Sequence, residues 1–176
     1  FRITTNDTTI CENNVGNLKF GLKIVEGDVL SYEWKNEKDE VVSTSSVLKF
    51  TESEVGTYKY TAKLTSEACP SVTDDIEVAI VGVPLVDTVT KIDYHNVAIV
   101  PNENYGEAPY EYKIDANEFS TSEEAYVTYG RHTVVIKDKN GCMSSYEFIT
   151  EAPSFEIPTV VTPNGDGVND AFISDV

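Results

Sequence analysis

The sequence predicts an all-β chain of tandem immunoglobulin-like β-sandwiches. Two observations carry this. Short runs of alternating apolar and polar residues recur along the chain, over 17–24, 30–34, 47–50, 57–64, 76–80, 97–100, 110–114, 131–137 and 145–150. Small polar residues, glycines and prolines separate the runs, as turns do in a sandwich. No apolar period is long enough for a stable helix, and the one helical candidate, around 120–125, is too short to stand alone.

Taken in order, Leu18, Phe20 and Leu22 share one face of the first run, because strand side chains alternate with a period of two. Tyr32 and Trp34 share a face in the next, and Trp34 reads as the core aromatic of a sandwich. Glu54-Val55-Gly56-Thr57 leads into the run 58–64, and Ile76-Glu77-Val78-Ala79-Ile80 ends the first unit. Val81-Gly82-Val83-Pro84 follows as a boundary, since proline restricts the residue before it to extended conformations. Ala108-Pro109-Tyr110 opens a strand of the second unit. Asp138-Lys139-Asn140-Gly141 is a hairpin turn with the favoured Asn-Gly pair. The division expected is 1–82, 83–152 and a last segment, 153–176, too short to fold alone. The short connection at 82–84 predicts that the two sandwiches stack end to end.

Thirty acids against thirteen bases in 176 residues give a net charge of -17. That excludes nucleic-acid binding through a basic face and disfavours anionic membranes. No apolar run approaches the length that spans a bilayer, so direct membrane insertion is not expected. The sequence starts at Phe1, which reads as a piece of a longer precursor.

There are three cysteines. Cys11 precedes a strand and Cys69 lies in a hairpin, places that can meet at one end of a sandwich. A Cys11–Cys69 disulfide is therefore expected. The alternative, two unpaired buried thiols, requires burying them in turn-like polar surroundings. Cys142 has no second cysteine in its own unit and is expected to be unpaired, or to join chains.

No catalytic constellation emerges. His95 and His132 lie in different strands, and no metal-protease, zinc-finger or phosphate-loop spacing occurs. Paired acids such as Glu123-Glu124 read as a solvated face. Asn164, Asp166 and Asp170 are oxygen donors in a Gly-rich turn, the type of ligand that calcium takes from loops. The competing reading is a structural turn whose side chains bond their own backbone. Asp74-Asp75 or Asp39-Glu40 are further candidates for a cation between the units.

The stretch from Phe155 to Phe172, with Thr162-Pro163-Asn164-Gly165-Asp166-Gly167-Val168-Asn169-Asp170 at its centre, resembles the opening of the gliding-motility-associated C-terminal domain. That is the type B sorting domain of type IX secretion substrates of Bacteroidetes. The resemblance implies a sorting-motif role for Pro163, Asn164, Gly165, Asp166, Gly167, Asn169 and Asp170, and only the opening of such a domain is present. Ala108-Pro109-Tyr110-Glu111-Tyr112 and the run from Gly130 to Cys142 are similar to elements of SprB-type repeats of gliding adhesins. His132 stands where the repeat has an aromatic, and the repeat's early cysteine is missing. Residues 1–82 resemble the immunoglobulin-like or PKD-like modules of the same large proteins, whose cysteine pair matches Cys11 and Cys69 in placement.

The resemblance implies a non-catalytic module of a secreted, cell-surface adhesin or gliding protein, with no resident cofactor other than the calcium considered above. Its partners are the type IX secretion machinery, through the complete C-terminal domain, and surface glycans or other cell-surface proteins. The alternative is a carbohydrate-binding accessory module of a secreted polysaccharide-degrading enzyme, which an exposed aromatic platform favours. A fragment of a surface enzyme is a third reading, and only a cleft with convergent polar groups favours it.

Overall fold

The computed structural model describes residues 3–4, 6–16, 18–24, 29–67 and 71–153. The readings for Cys69 and for Pro163, Asn164, Gly165, Asp166, Gly167, Asn169 and Asp170 lie outside the described residues.

The first half of the chain forms β1 (Ile3–Thr4), β2 (Thr8–Cys11), a short 3-10 turn (Glu12–Asn14), β3 (Lys19–Gly21), β4 (Lys23–Ile24) and β5 (Ser31–Asn36). β6 (Val41–Ser43), β7 (Val47–Lys49), β8 (Gly56–Thr65) and β9 (Val72–Val81) follow. One sheet has the order β2-β9-β8-β5-β6, with β2 parallel to β9 and the other pairs antiparallel. The β3–β7 pair covers it, and β1 pairs with β4. The core follows from alternation. Tyr60, Ala62 and Leu64 of β8 and Ile76, Val78 and Ile80 of β9 all point inward, while the residues between them face outward. Trp34 stands opposite Ala62, whose small side chain leaves room for the indole. Its Nε1–H donates to the Ser45 carbonyl at 3.0 Å, which satisfies the buried polar end of the ring. Phe50 packs edge-on against Phe20, Tyr58 and Tyr60, tying the two layers together.

The second half forms β10 (Val86–Lys91), β11 (Asn96–Pro101), β12 (Glu111–Ile114), β13 (Glu124–Tyr126), β14 (Gly130–Lys137) and β15 (Met143–Thr150). They make two three-stranded sheets, β10-β11-β13 and β12-β14-β15. Val97, Ile99, Tyr112, Ile114, Val127, Val134 and Ile136 fill the space between, separate from the first core. The segment 120–125 is no helix: Ser120 bridges to Tyr112, and 124–126 adds to β11 as β13. The fold is all-β, with two immunoglobulin-like sandwiches in tandem.

His132, at the position where the similar repeats carry an aromatic, is a buried β14 residue against Phe148, ring centroids 5.4 Å apart. Its Nδ1 lies 2.7 Å from Asp115 Oδ2 and its Nε2 lies 2.9 Å from the Thr128 carbonyl. Two acceptors suit an imidazolium, which donates from both nitrogens. The Asp115 hydrogen bond raises the His132 pKa, with burial opposing, and the same bond holds the Asp115 carboxyl below the usual carboxylate range. A raised folded-state pKa gives a contribution that is complete below about 6.5, the ordinary imidazole value, and is lost as pH rises through the raised value. The depressed Asp115 has the opposite sign, and its contribution is lost as pH falls through its own value. The second sandwich should therefore lose stability on going from pH 6 to 8. Asp115→Asn should flatten that slope and bring the His132 titration, followed by imidazole NMR, back toward the ordinary value. A His132 titration at or below 6.5 in the wild-type chain contradicts this.

Candidate functional site

The two sandwiches meet through loops at one end of each. β2 runs parallel to β9 with Cys11 opposite Val81, so Cys11 sits where the chain leaves the first sandwich. On the other side, the connection between Lys137 and Met143 carries Cys142. Cys11 and Cys142 are joined by a disulfide, with Cα atoms 5.5 Å apart across a sequence separation of 131.

This corrects two expectations: Cys11 is not paired with Cys69, and Cys142 is not unpaired. The reason is strand direction. Residue 69 precedes Val72, and Val72 and Val81 are opposite ends of β9, about 30 Å apart at ordinary strand rise. A disulfide needs Cα atoms within about 7 Å. Cys142 meets that condition and is almost fully enclosed, at 1% exposure.

Polar contacts surround the bond. Glu12 Oε1 accepts from the Val83 N–H at 3.0 Å, and Asn13 Nδ2 donates to the Met143 carbonyl at 3.2 Å. Ser144 Oγ donates to the Pro84 carbonyl. Gly106 has φ +72°, and a Cβ there would lie 2.7 Å from Pro84 Cα, so only glycine fits beneath the linker. The buried Asp138 organises the Cys142 loop. Its Oδ1 accepts from the N–H groups of Asn140 and Cys142, both at 2.9 Å, and its Oδ2 from Glu107 N–H at 3.3 Å. Lys139 pairs with Glu107 across the same contact. The Asn-Gly turn is thus part of a wider loop set by a carboxylate, with Gly141 at φ +80°. An open recess of about 370 Å³ remains at the junction, lined in part by Glu12, Val55, Tyr105 and Asn140.

A second feature lies at the opposite end of the second sandwich, where Gly130 pairs with Thr150. The β10–β11 turn and the β13–β14 connection bring three rings together. His95 stacks on Tyr126, centroids 5.2 Å apart and planes 25° apart, and lies 5.0 Å from Tyr129. Tyr94 sits beside them in sequence with Lys91 Nζ 4.9 Å from its ring centroid. Asp93 fixes the turn, accepting from the N–H groups of His95 and Asn96, both at 2.8 Å. Tyr126 and Tyr94 are 64% and 60% exposed. Sequence reading missed this cluster because its rings come from two loops far apart in the chain.

Among the described residues, no group of three or more His, Cys, Asp or Glu side chains is placed to hold a metal ion. Neither acidic pair considered for a cation lines the junction recess. Asp39 pairs with Lys35 at 2.8 Å, Glu40 accepts from Asn36, and Asp75 accepts from Thr61. Glu123 and Glu124 are exposed.

No known sequence family matches the chain. No curated protein matches it either. Solved structures are similar in fold. The fibronectin(III)-like modules of Clostridium thermocellum CbhA align with a TM-score of 0.53 at 14% identity, over 85% of this chain and 94% of that one. A C-terminal 282-residue fragment of intimin, in complex with the intimin-binding domain of the translocated intimin receptor, gives 0.53 at 14% identity. That alignment covers 86% of this chain and 64% of the fragment. The N-terminal eight Ig domains of Down Syndrome Cell Adhesion Molecule give 0.52 at 10% identity, over 85% of this chain and 23% of theirs. The chain thus spans less than two thirds of the last two. At these identities the likeness establishes the fold, tandem β-sandwiches of the immunoglobulin and fibronectin III type.

Proposed function

We propose that the chain is a non-catalytic extracellular module of a large secreted cell-surface adhesin or gliding-motility protein. It spaces and presents its parent and leads into a type IX secretion signal, with 1–82 and 83–152 as structural units and 153–176 opening the sorting domain. The observation that carries this reading is the junction. Two sandwiches are held end to end by a covalent bond, a capped loop and a linker packed on glycine, which makes a stiff spacer. A disulfide also suits an oxidising, extracellular setting. Adhesion proteins are among the structures built on the same tandem fold. A reporter fused to the parent's complete C-terminal region should reach the surface or medium of a type IX-competent cell. Asp166→Ala with Asp170→Ala should lower that export or leave the reporter degraded inside. Unchanged export of the double variant overturns the role of the two aspartates, and export by 153–176 alone overturns the reading of this stretch as only an opening.

The aromatic end of the second sandwich favours a second reading, a carbohydrate-binding accessory module of a secreted polysaccharide-degrading enzyme. Exposed, clustered rings mark an interaction site more often than a solvated surface. A glycan array tests the second reading: binding to polysaccharide fragments that Tyr126→Ala abolishes supports it, and no binding to them overturns it.

A further inference from the structure

The disulfide has a consequence for how the molecule bears load, and it stands on chain connectivity alone, whatever surface the chain occupies. Cys11 is the last residue of β2 and Cys142 directly precedes β15. β2 is an edge strand of the first sandwich and β15 an edge strand of the second. β2 runs toward the junction, since Cys11 is level with Val81, and β15 runs away from it, from Met143 to Thr150. The covalent path from one terminus to the other is therefore β2, the Cys11–Cys142 bond and β15, a continuous strap along one edge of both sandwiches.

We propose that this strap carries tension applied between the termini, and that residues 12–141 lie outside the load path. Those residues form a ring closed by the disulfide, and pulling on its two cysteines cannot straighten the chain between them. They contain β3–β14, every buried residue of the two hydrophobic cores except Ile10, the Gly82–Pro84 linker and the aromatic cluster. The bond thus does more than stiffen the junction. It shields the linker, the element that a pull along the chain would otherwise strain, and it keeps whatever the second sandwich displays folded while the strap is taut. Force can peel β2 from β9 and β15 from β14, but the ring keeps its strands in place.

Single-molecule force spectroscopy tests this on the full 176-residue chain held by its termini. In the oxidised protein, contour length should come only from the segments outside the ring. Adding dithiothreitol to the same molecule under force should release a further length of about 430–470 Å, the extended span of the 131-residue separation. Cys69→Ala should leave that hidden length unchanged. Release of the full length before reduction overturns the proposal. So does a hidden length of about 190–210 Å, which is what a Cys11–Cys69 ring would conceal. Cys11→Ser with Cys142→Ser should give the full length without reductant. Should that variant not fold, the reduction of single wild-type molecules still decides the matter.

Discussion

Replacing Cys11 and Cys142 together by serine should lower the chain's resistance to denaturant by roughly 3–5 kcal/mol, shared between the two sandwiches. In the chain-entropy account, a crosslink across a separation of 131 removes about 5 kcal/mol of unfolded-state freedom, and the upper part of that figure is seldom reached. The double variant is needed because either single variant leaves an unpaired thiol at the junction that can join two chains. The protein has a single tryptophan, Trp34, in the first core, so its emission follows that sandwich alone. Far-ultraviolet dichroism follows both. In the oxidised wild type the two signals should change close together. In the double variant both midpoints should fall, and the two curves should separate as each core unfolds on its own. Identical midpoints for the wild type and the double variant contradict a stabilising tie between the sandwiches.

Trp34→Ala should cost the first sandwich about 3–5 kcal/mol, the range for removing a buried large aromatic. The indole is fully enclosed, so its loss opens a cavity beside Ala62 that this small neighbour cannot fill. It also removes the donor to the Ser45 carbonyl. Trp34→Phe keeps most of the packing and loses the hydrogen bond, so it should cost about 1–2 kcal/mol. Both effects should be confined to the first core. The titration of His132 in the second should not move, since the two clusters share no residue. A loss below 1 kcal/mol for the alanine variant contradicts a structural role for Trp34.

How far the sequence reveals this molecule depends on whether a feature is local. The long strands β8, β9 and β14 were legible because several inward residues repeat at a spacing of two. β2, β6, β10 and β13 were not, since each is short or mostly polar. In β2 only Ile10 is buried, and one residue makes no period. β2 also pairs parallel with β9 across some seventy residues, a partnership nothing nearby announces. That pairing decides which end of the sandwich Cys11 occupies, and so the choice of partner was beyond local reading. The odd third cysteine, Cys142, was the visible sign that a bond between units was available. The role of Asp138 was readable in part, because an aspartate before Asn-Gly is a natural cap for a turn. The aromatic cluster was not, because His95 and Tyr126 meet only once β11 and β13 pair.

The covalent tie between the sandwiches can be read directly by peptide mapping of the unreduced, alkylated chain. Trypsin places Cys11 in residues 3–19, Cys69 in residues 64–91 and Cys142 in residues 140–176. The expected result is peptide 3–19 linked to 140–176, with Cys69 alkylated in an unlinked 64–91. Peptide 3–19 linked to 64–91, with Cys142 alkylated, contradicts it.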